Sequence, residues 1–146
     1  MSKIYAFIII VPFIALLLFK GILFYEYDTK QRYIKDLTDS TAYVVKITGM
    51  ITTEEYSKLK AKLNKFARFD DANIILMKGV YNTGTLTNMT AYILGTQLNK
   101  GDAFLIYIKS VDVSNYSKLQ NGGVNSDDTQ NLYYCAKAQC RVEYVP

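Results

Sequence analysis

The sequence has no histidine and no tryptophan, and its 146 residues include only two cysteines and two prolines. The absence of histidine excludes Ser-His-Asp and Cys-His catalysis, and with them the common zinc sites that use imidazole. Two cysteines are too few for a zinc site made of cysteine alone. Phosphate-binding loops, dinucleotide-binding fingerprints and zinc-protease motifs are also missing. We therefore expect no enzyme activity, no catalytic residue, no cofactor and no metal site.

Concentrated charge of one sign is lacking as well. The formal net charge is only +4, and the lysines and arginines are dispersed along the chain. No basic run is interleaved with aromatic residues in the way that nucleic-acid binding requires. The polar stretch 125–128 lacks the spacing and the glycine of a calcium-binding loop. We expect neither nucleic acid nor calcium as a partner.

A long apolar block is present at the N-terminus. Residues 4–19 carry no charge, Lys20 interrupts the block, and residues 21–25 resume it. About 20 apolar residues in a helix span a bilayer, so residues 1–25 are predicted to form a single membrane-spanning helix, with Lys20 reaching toward the interface. Pro12 lies in the middle of the block, where a membrane or a packed bundle tolerates it as a kink. A cleaved secretory signal is the alternative, but no small-residue cleavage site follows the block.

The helix is predicted to continue beyond the membrane. Tyr25–Thr48 contains no proline and no glycine, and acid-first pairs at i,i+4 spacing stabilise a helix there: Glu26 with Lys30, and Asp28 with Arg32. Gly49 is a natural C-terminal cap. We predict one helix over residues 2–48, whose amphipathic continuation occupies 26–49. Its buried stripe is predicted to comprise Tyr33, Ile34, Leu37, Thr41, Val44, Val45 and Thr48.

The remaining residues, 50–146, are predicted to form a small α+β domain outside the cell membrane, with the N-terminus of the chain inside. Thr52 and Glu55 make a capping box for a second helix. Short β-type segments follow, and residues 99–102 predict a hairpin turn before a strong strand at 103–110. Residues 115–131 are predicted to be an exposed polar loop. The fold class is therefore α+β: a long helix and a second helix on an antiparallel sheet of about four strands.

The C-terminal tail alternates with period two from Leu132 to Tyr144, which predicts one long strand with a polar outer face. Cys135 and Cys140 then point to opposite faces and cannot form a disulfide within that strand. The alternative is a tight hairpin closed by a Cys135–Cys140 disulfide, although residues 136–139 contain no turn residue. Cys140 in a continuous strand serves as a small buried hydrophobic residue.

The first third of the chain resembles type IV pilins and, more specifically, the TadE-like pseudopilins of tight-adherence systems. The similarity lies in Ile10-Val11-Pro12, Leu16-Leu17-Leu18 and Gly21-Ile22, followed by a tyrosine-rich exit and a long helix. The resemblance implies a structural subunit that leaves the membrane and packs with copies of itself in a cell-surface filament. The residues implied in membrane insertion and assembly are Ile4, Phe7, Ile10, Pro12, Leu16, Leu17, Leu18, Lys20, Gly21 and Ile22.

Two features depart from that family. Residues 1–4 lack the glycine that usually precedes the processing site, and the first acid of the chain is Glu26 rather than a glutamate inside the apolar helix. Lys20 offers a different charge, which Glu26 or Asp28 of a neighbouring subunit can neutralise in an assembly. The second hypothesis is a single-span accessory or binding subunit of a secretion or conjugation machine. The predicted partners are the membrane, other copies of the chain and further pilus or secretion subunits.

Overall fold

The computed structural model describes residues 2–144, and its longest element is a single N-terminal helix. Helix α1 runs over Ser2–Thr48 without a break and continues through Pro12. Its 47 residues give a length of about 70 Å at 1.5 Å per residue. Gly49 follows its last residue; its φ of +74° suits a residue without a side chain, and its N–H donates to the Val45 carbonyl at 2.8 Å. The predicted long helix and its glycine cap are confirmed.

The rest of the chain forms a four-stranded antiparallel sheet with short helices around it. The strands lie in the order β2-β1-β3-β4. Their bounds are β1 Ile74–Asn82, β2 Thr85–Ala91, β3 Asp102–Val113 and β4 Tyr133–Arg141. The further α-helices are α2 Thr53–Leu63 and α3 Asn115–Asn121, and short 3-10 turns occupy Asp71–Asn73 and Asp128–Gln130. The predicted α+β class, with about four antiparallel strands, is confirmed.

The second half of α1 packs on the sheet through small and branched side chains. Ile34, Thr38, Ala42 and Val45 are buried and lie on one side of the helix. Thr38 donates its hydroxyl to the Ile34 carbonyl at 2.7 Å, which satisfies its only polar side-chain atom inside the core. The predicted buried stripe was wrong at three positions. It omitted Thr38 and Ala42, which are buried, and it included Tyr33, which is 53% exposed. Small residues are needed there because they let the helix approach the sheet closely.

Strand β4 presents the inner face predicted from its alternation. Tyr134, Ala136, Ala138 and the following Val142 are buried against α1. The strand pairs continuously with β3 from Cys135 opposite Lys109 to Arg141 opposite Ala103. The tail is therefore one strand through both cysteines, and both thiols are free, with Cys135 exposed and Cys140 half-buried.

Helix α2 begins as its capping box predicts. The Thr52 hydroxyl accepts from the Glu55 N–H at 3.2 Å, and a Glu55 carboxylate oxygen accepts from the Thr52 N–H at 2.8 Å. Leu59 and Leu63 are buried beneath it. Beyond its last residue, Phe66 stacks on Tyr33 of α1, with ring centroids 5.4 Å apart.

Two local predictions were wrong. Residues 99–102 do make a turn, with the Asp102 N–H donating to the Asn99 carbonyl, but this turn leads into a strand that pairs with β1 and β4 rather than with β2. The predicted polar loop 115–131 contains helix α3, which Ser114 caps by accepting from the Ser117 N–H. Gly122 ends α3 in the left-handed conformation, with φ +69°.

Candidate functional site: the exposed helix and its junction with the domain

The first half of α1 carries the largest apolar surface of the described chain. Phe7 is 69% exposed and Ile9 is 71% exposed, and none of the most apolar stretch of α1 is buried. Soluble proteins rarely leave a contiguous apolar surface of this size open to water. Within residues 2–144, α1 is the one helix long and apolar enough to cross a membrane. This segment can anchor the chain in a membrane as a single N-terminal span.

The length of the exposed segment matches a bilayer. Residues 4–25 make a helix of about 33 Å at 1.5 Å per residue, and the hydrocarbon core of a bilayer is about 30 Å thick. The segment's end coincides with the point where α1 first meets the domain, at Phe24 and Tyr27. The end of the apolar segment and the base of the domain therefore fall at the same level of the helix.

The predicted assembly residues all lie on this uncovered segment. Apart from its chain neighbours and the adjacent backbone of the helix, Gly21 has no atom within 4 Å of where a side chain would begin, so no packing contact inside the subunit requires glycine there. Lys20 is half-buried. The apolar members of the set with large exposed side chains are Ile4, Phe7, Ile10, Leu16, Leu17, Leu18 and Ile22.

The two acids predicted as partners of a neighbouring subunit are engaged within the chain. A Glu26 carboxylate oxygen accepts from the Lys30 ammonium group, and Asp28 pairs with Arg32 at 2.8 Å. Both pairs have the i,i+4 spacing predicted from the sequence and both lie at least partly in solvent. Such surface pairs contribute only about 0–1 kcal/mol, so their carboxylates can be recruited by another cation at small cost.

An aromatic cluster joins the end of the apolar segment to the domain. The Tyr116 ring of α3 meets Phe24 edge-on, with centroids 5.3 Å apart, and lies 6.1 Å from Tyr27. Tyr27 in turn lies 5.3 Å from Tyr134 of β4. The tyrosine-rich exit noted in the sequence includes Tyr27, but sequence patterning missed Tyr116, because it lies 89 positions further along the chain and no periodicity links the two.

Polar contacts hold α1 along the open edge of β4. The Gln31 side-chain carbonyl accepts from the Cys135 N–H at 3.1 Å, and the Gln31 amide nitrogen donates to the Cys135 carbonyl. Further along, the Glu143 N–H donates to the Lys46 carbonyl at 2.8 Å, and their side chains form an ion pair at 3.2 Å. These contacts fix the direction of α1 relative to the sheet at both ends of the strand.

The electrostatics of the junction favour neutral tyrosines. Burial raises the pKa of Tyr134 to about 12, with smaller contributions from the Glu26 carboxylate and from Tyr27. Burial also raises the pKa of Tyr27, whose hydroxyl donates to the Tyr133 carbonyl at 3.3 Å. The Lys30 ammonium group lies 6.0 Å from the centre of the Tyr134 ring. The junction therefore behaves as an uncharged, packed aromatic contact at ordinary pH.

A second surface feature is an open groove of about 660 Å³ between α2 and β1, at the other side of the domain. Tyr56 and Lys60 both donate to the Asp71 carboxylate there, at 3.0 and 2.8 Å. These two hydrogen bonds lower the pKa of Asp71. Among the described side chains, no group of three or more His, Cys, Asp or Glu residues is placed to hold a metal ion.

Comparison with known proteins finds no matching family, no similar curated protein and no similar solved structure. The fold and the exposed helix define the class of protein: a small α+β domain on one apolar helix that can anchor it in a membrane.

Proposed function

We propose that the chain is a pilin-like structural subunit, held in the cell membrane by the first half of α1 with its N-terminus inside, and assembled through that segment into a surface filament. One observation carries the proposal: a single unbroken helix is packed on the sheet over its second half and uncovered over its apolar first half. The proposal assigns no catalytic role and no cofactor to the chain.

The uncovered first half of α1 is suited both to lipid and to contact with other apolar helices. Apolar side chains on all sides of a helix are stable in lipid, and they are equally stable against other apolar helices once the subunit leaves the membrane. Copies of the same helix supply such a surface in a helical array. Because the domain contacts α1 from about Phe24 onward, the first half of α1 can pack against other subunits without disturbing the domain.

Lys20 is the charge that such an assembly must accommodate. A charge buried between apolar helices needs an opposite charge, and the nearest acids along α1 are Glu26 and Asp28. We propose that a neighbour displaced along the filament axis presents one of them to Lys20. When Glu26 leaves Lys30, or Asp28 leaves Arg32, to pair with the neighbour's Lys20, little free energy is lost, because these internal ion pairs are partly exposed.

The groove between α2 and β1 favours a second candidate function, a membrane-anchored accessory or binding subunit of a secretion or conjugation machine. Apolar side chains of Ile75 and Leu94 line the groove beside the polar Tyr56–Asp71–Lys60 contact. This mixture of apolar and polar groups is typical of a recognition surface. In that role the subunit stays monomeric in the membrane and binds through its outer domain.

Electron microscopy of material sheared from cells that produce the full chain, with mass spectrometry of its N-terminus, tests the proposal. Ordered filaments containing the chain support it. Export with membrane-bound protein and no filament contradicts it and favours the accessory subunit. G21L and P12L should reduce filament yield while the domain keeps its thermal unfolding midpoint. The control K100L places a leucine at the exposed turn before β3, far from the apolar segment, and should assemble normally.

A further inference from the structure

We infer that Tyr116 of α3 rests in the phospholipid headgroup layer and seats the base of the domain on the membrane surface. The inference depends on the anchoring part of the proposed function and not on filament assembly. Its partner is a phospholipid bilayer surface, and its contact group is the ring and hydroxyl of Tyr116 next to Phe24.

The contact with Phe24 sets the position of Tyr116 along the axis of α1. Its ring centroid lies 5.3 Å from that of Phe24, the second-last residue of the apolar segment. One turn of helix is about 5.4 Å long. Tyr116 therefore lies within about one turn of the level at which the apolar segment ends, where hydrocarbon gives way to headgroups.

The junction between α1 and the domain is rigid. Helix α1 crosses this level without a break, and Gln31 and Tyr27 bind the backbone of β4 just beyond it. The domain can leave the membrane surface only if the helix bends or these contacts break. The position of Phe24 in the membrane thus sets the height of Tyr116 above it.

The side chain of Tyr116 combines an apolar ring with a polar hydroxyl group. Tyrosine is enriched at membrane interfaces because its ring prefers the edge of the hydrocarbon while its hydroxyl hydrogen-bonds in the headgroup region. Within residues 2–144 no hydrogen bond uses the Tyr116 hydroxyl, in contrast to that of Tyr27. The ring remains partly exposed despite its two aromatic neighbours. A free hydroxyl on a half-packed ring at this level is suited to headgroup contact.

The absence of tryptophan from the chain makes a direct experiment possible, because one substitution introduces a unique fluorophore. The full chain carrying Y116W, F13W or Y43W is placed in phosphatidylcholine vesicles that contain a quencher either near the glycerol end or near the tail end of the acyl chains. Phe13 lies in the middle of the apolar segment. Tyr43 is exposed on α1, about 28 Å beyond Phe24 at 1.5 Å per residue.

We expect the shallow quencher to reduce Y116W emission and the deep quencher to reduce F13W emission, while Y43W responds to neither. Quenched F13W with Y116W as unresponsive as Y43W overturns this inference and leaves membrane anchoring intact. Unquenched F13W overturns anchoring, and with it both proposals.

A measurement on the unaltered chain covers the case in which Y116W does not fold. Ring-labelled tyrosine is observed by nuclear magnetic resonance in bilayers that carry a spin label on the headgroup, and Y116F assigns the Tyr116 signal. Broadening of the Tyr116 signal beyond that of Tyr43 supports the inference. Equal broadening of the two signals overturns it.

Discussion

Gln31 of the long helix pairs with Cys135 of the last strand as a neighbouring strand would. Its side-chain amide accepts from the Cys135 N–H at 3.1 Å and also donates to the Cys135 carbonyl. Strand β4 is an edge strand, and unpaired groups on such an edge invite pairing with other chains. One glutamine thus covers part of the edge and ties the long helix to the sheet.

Replacement of Gln31 tests this contact. Q31M keeps the length and removes both hydrogen bonds, so we expect the free energy of unfolding to fall by about 1–2 kcal/mol. Hydrogen exchange of the Cys135 amide should become faster. The control S40M changes an exposed residue on the opposite side of α1 and should alter neither quantity. Unchanged exchange at Cys135 in Q31M would contradict the assigned role.

Close packing between α1 and the sheet predicts that Ala42 tolerates no larger side chain. Ala42 is only 4% exposed, so A42L must force the helix away from β4. We expect a loss of about 1–3 kcal/mol in the free energy of unfolding, measured by chemical denaturation in detergent. S40L places the same side chain on the solvent side and should be nearly neutral. Equal stability of A42L and S40L would show that the helix does not pack as described.

The capping box of α2 predicts a difference between two adjacent threonines. Thr52 accepts from the Glu55 N–H, whereas Thr53 lies exposed in the first turn. T52A should lower stability by about 1 kcal/mol, while T53A should have little effect. T52S should retain most of the wild-type value. Thermal unfolding of the three variants measures the difference, and equal losses for T52A and T53A would refute the capping role.

Burial of Tyr134 predicts a loss of stability in alkaline solution. The folded state holds the pKa of Tyr134 at about 12, above the ordinary value near 10, so the unfolded chain releases its proton first as the pH rises. The stabilisation is therefore complete below about pH 10 and is lost progressively toward pH 12. Denaturation at rising pH should show a smaller loss in Y134F than in the wild type. An equal loss in both would assign the effect to other groups.

The two cysteines are predicted to differ in thiol reactivity. Burial raises the pKa of Cys140 to about 11, whereas Cys135 is exposed. Because the thiolate is the reactive form, one thiol per chain should react rapidly with a disulfide reagent and C135S should abolish that fast phase. C140S should leave it unchanged. Two equally fast thiols, or a chain mass two hydrogens lower in exported protein, would contradict the continuous strand with free cysteines.

Local pattern was sufficient for features that depend on neighbours in sequence. The absence of glycine and proline from Tyr25 to Thr48, with Gly49 after it, determined a helix that continues beyond the apolar block. The Thr52–Glu55 pair determined the start of α2. Alternation from Tyr134 to Val142 determined the inner face of β4, since side chains of a strand point to opposite faces with period two. Leu132, where the predicted alternation begins, precedes β4 and is 40% exposed.

Only the tertiary structure decided the contacts between distant segments. A turn at residues 99–102 did not produce a hairpin, because β3 pairs with β1 and β4 in the centre of the sheet. Thr38 and Ala42, which no sequence pattern singled out, lie on the face of α1 that packs on the sheet. Tyr116 reached Phe24 only because α3 folds back beside the helix. Periodicity shows which side of an element is buried, but the partner of that side depends on packing across the whole chain.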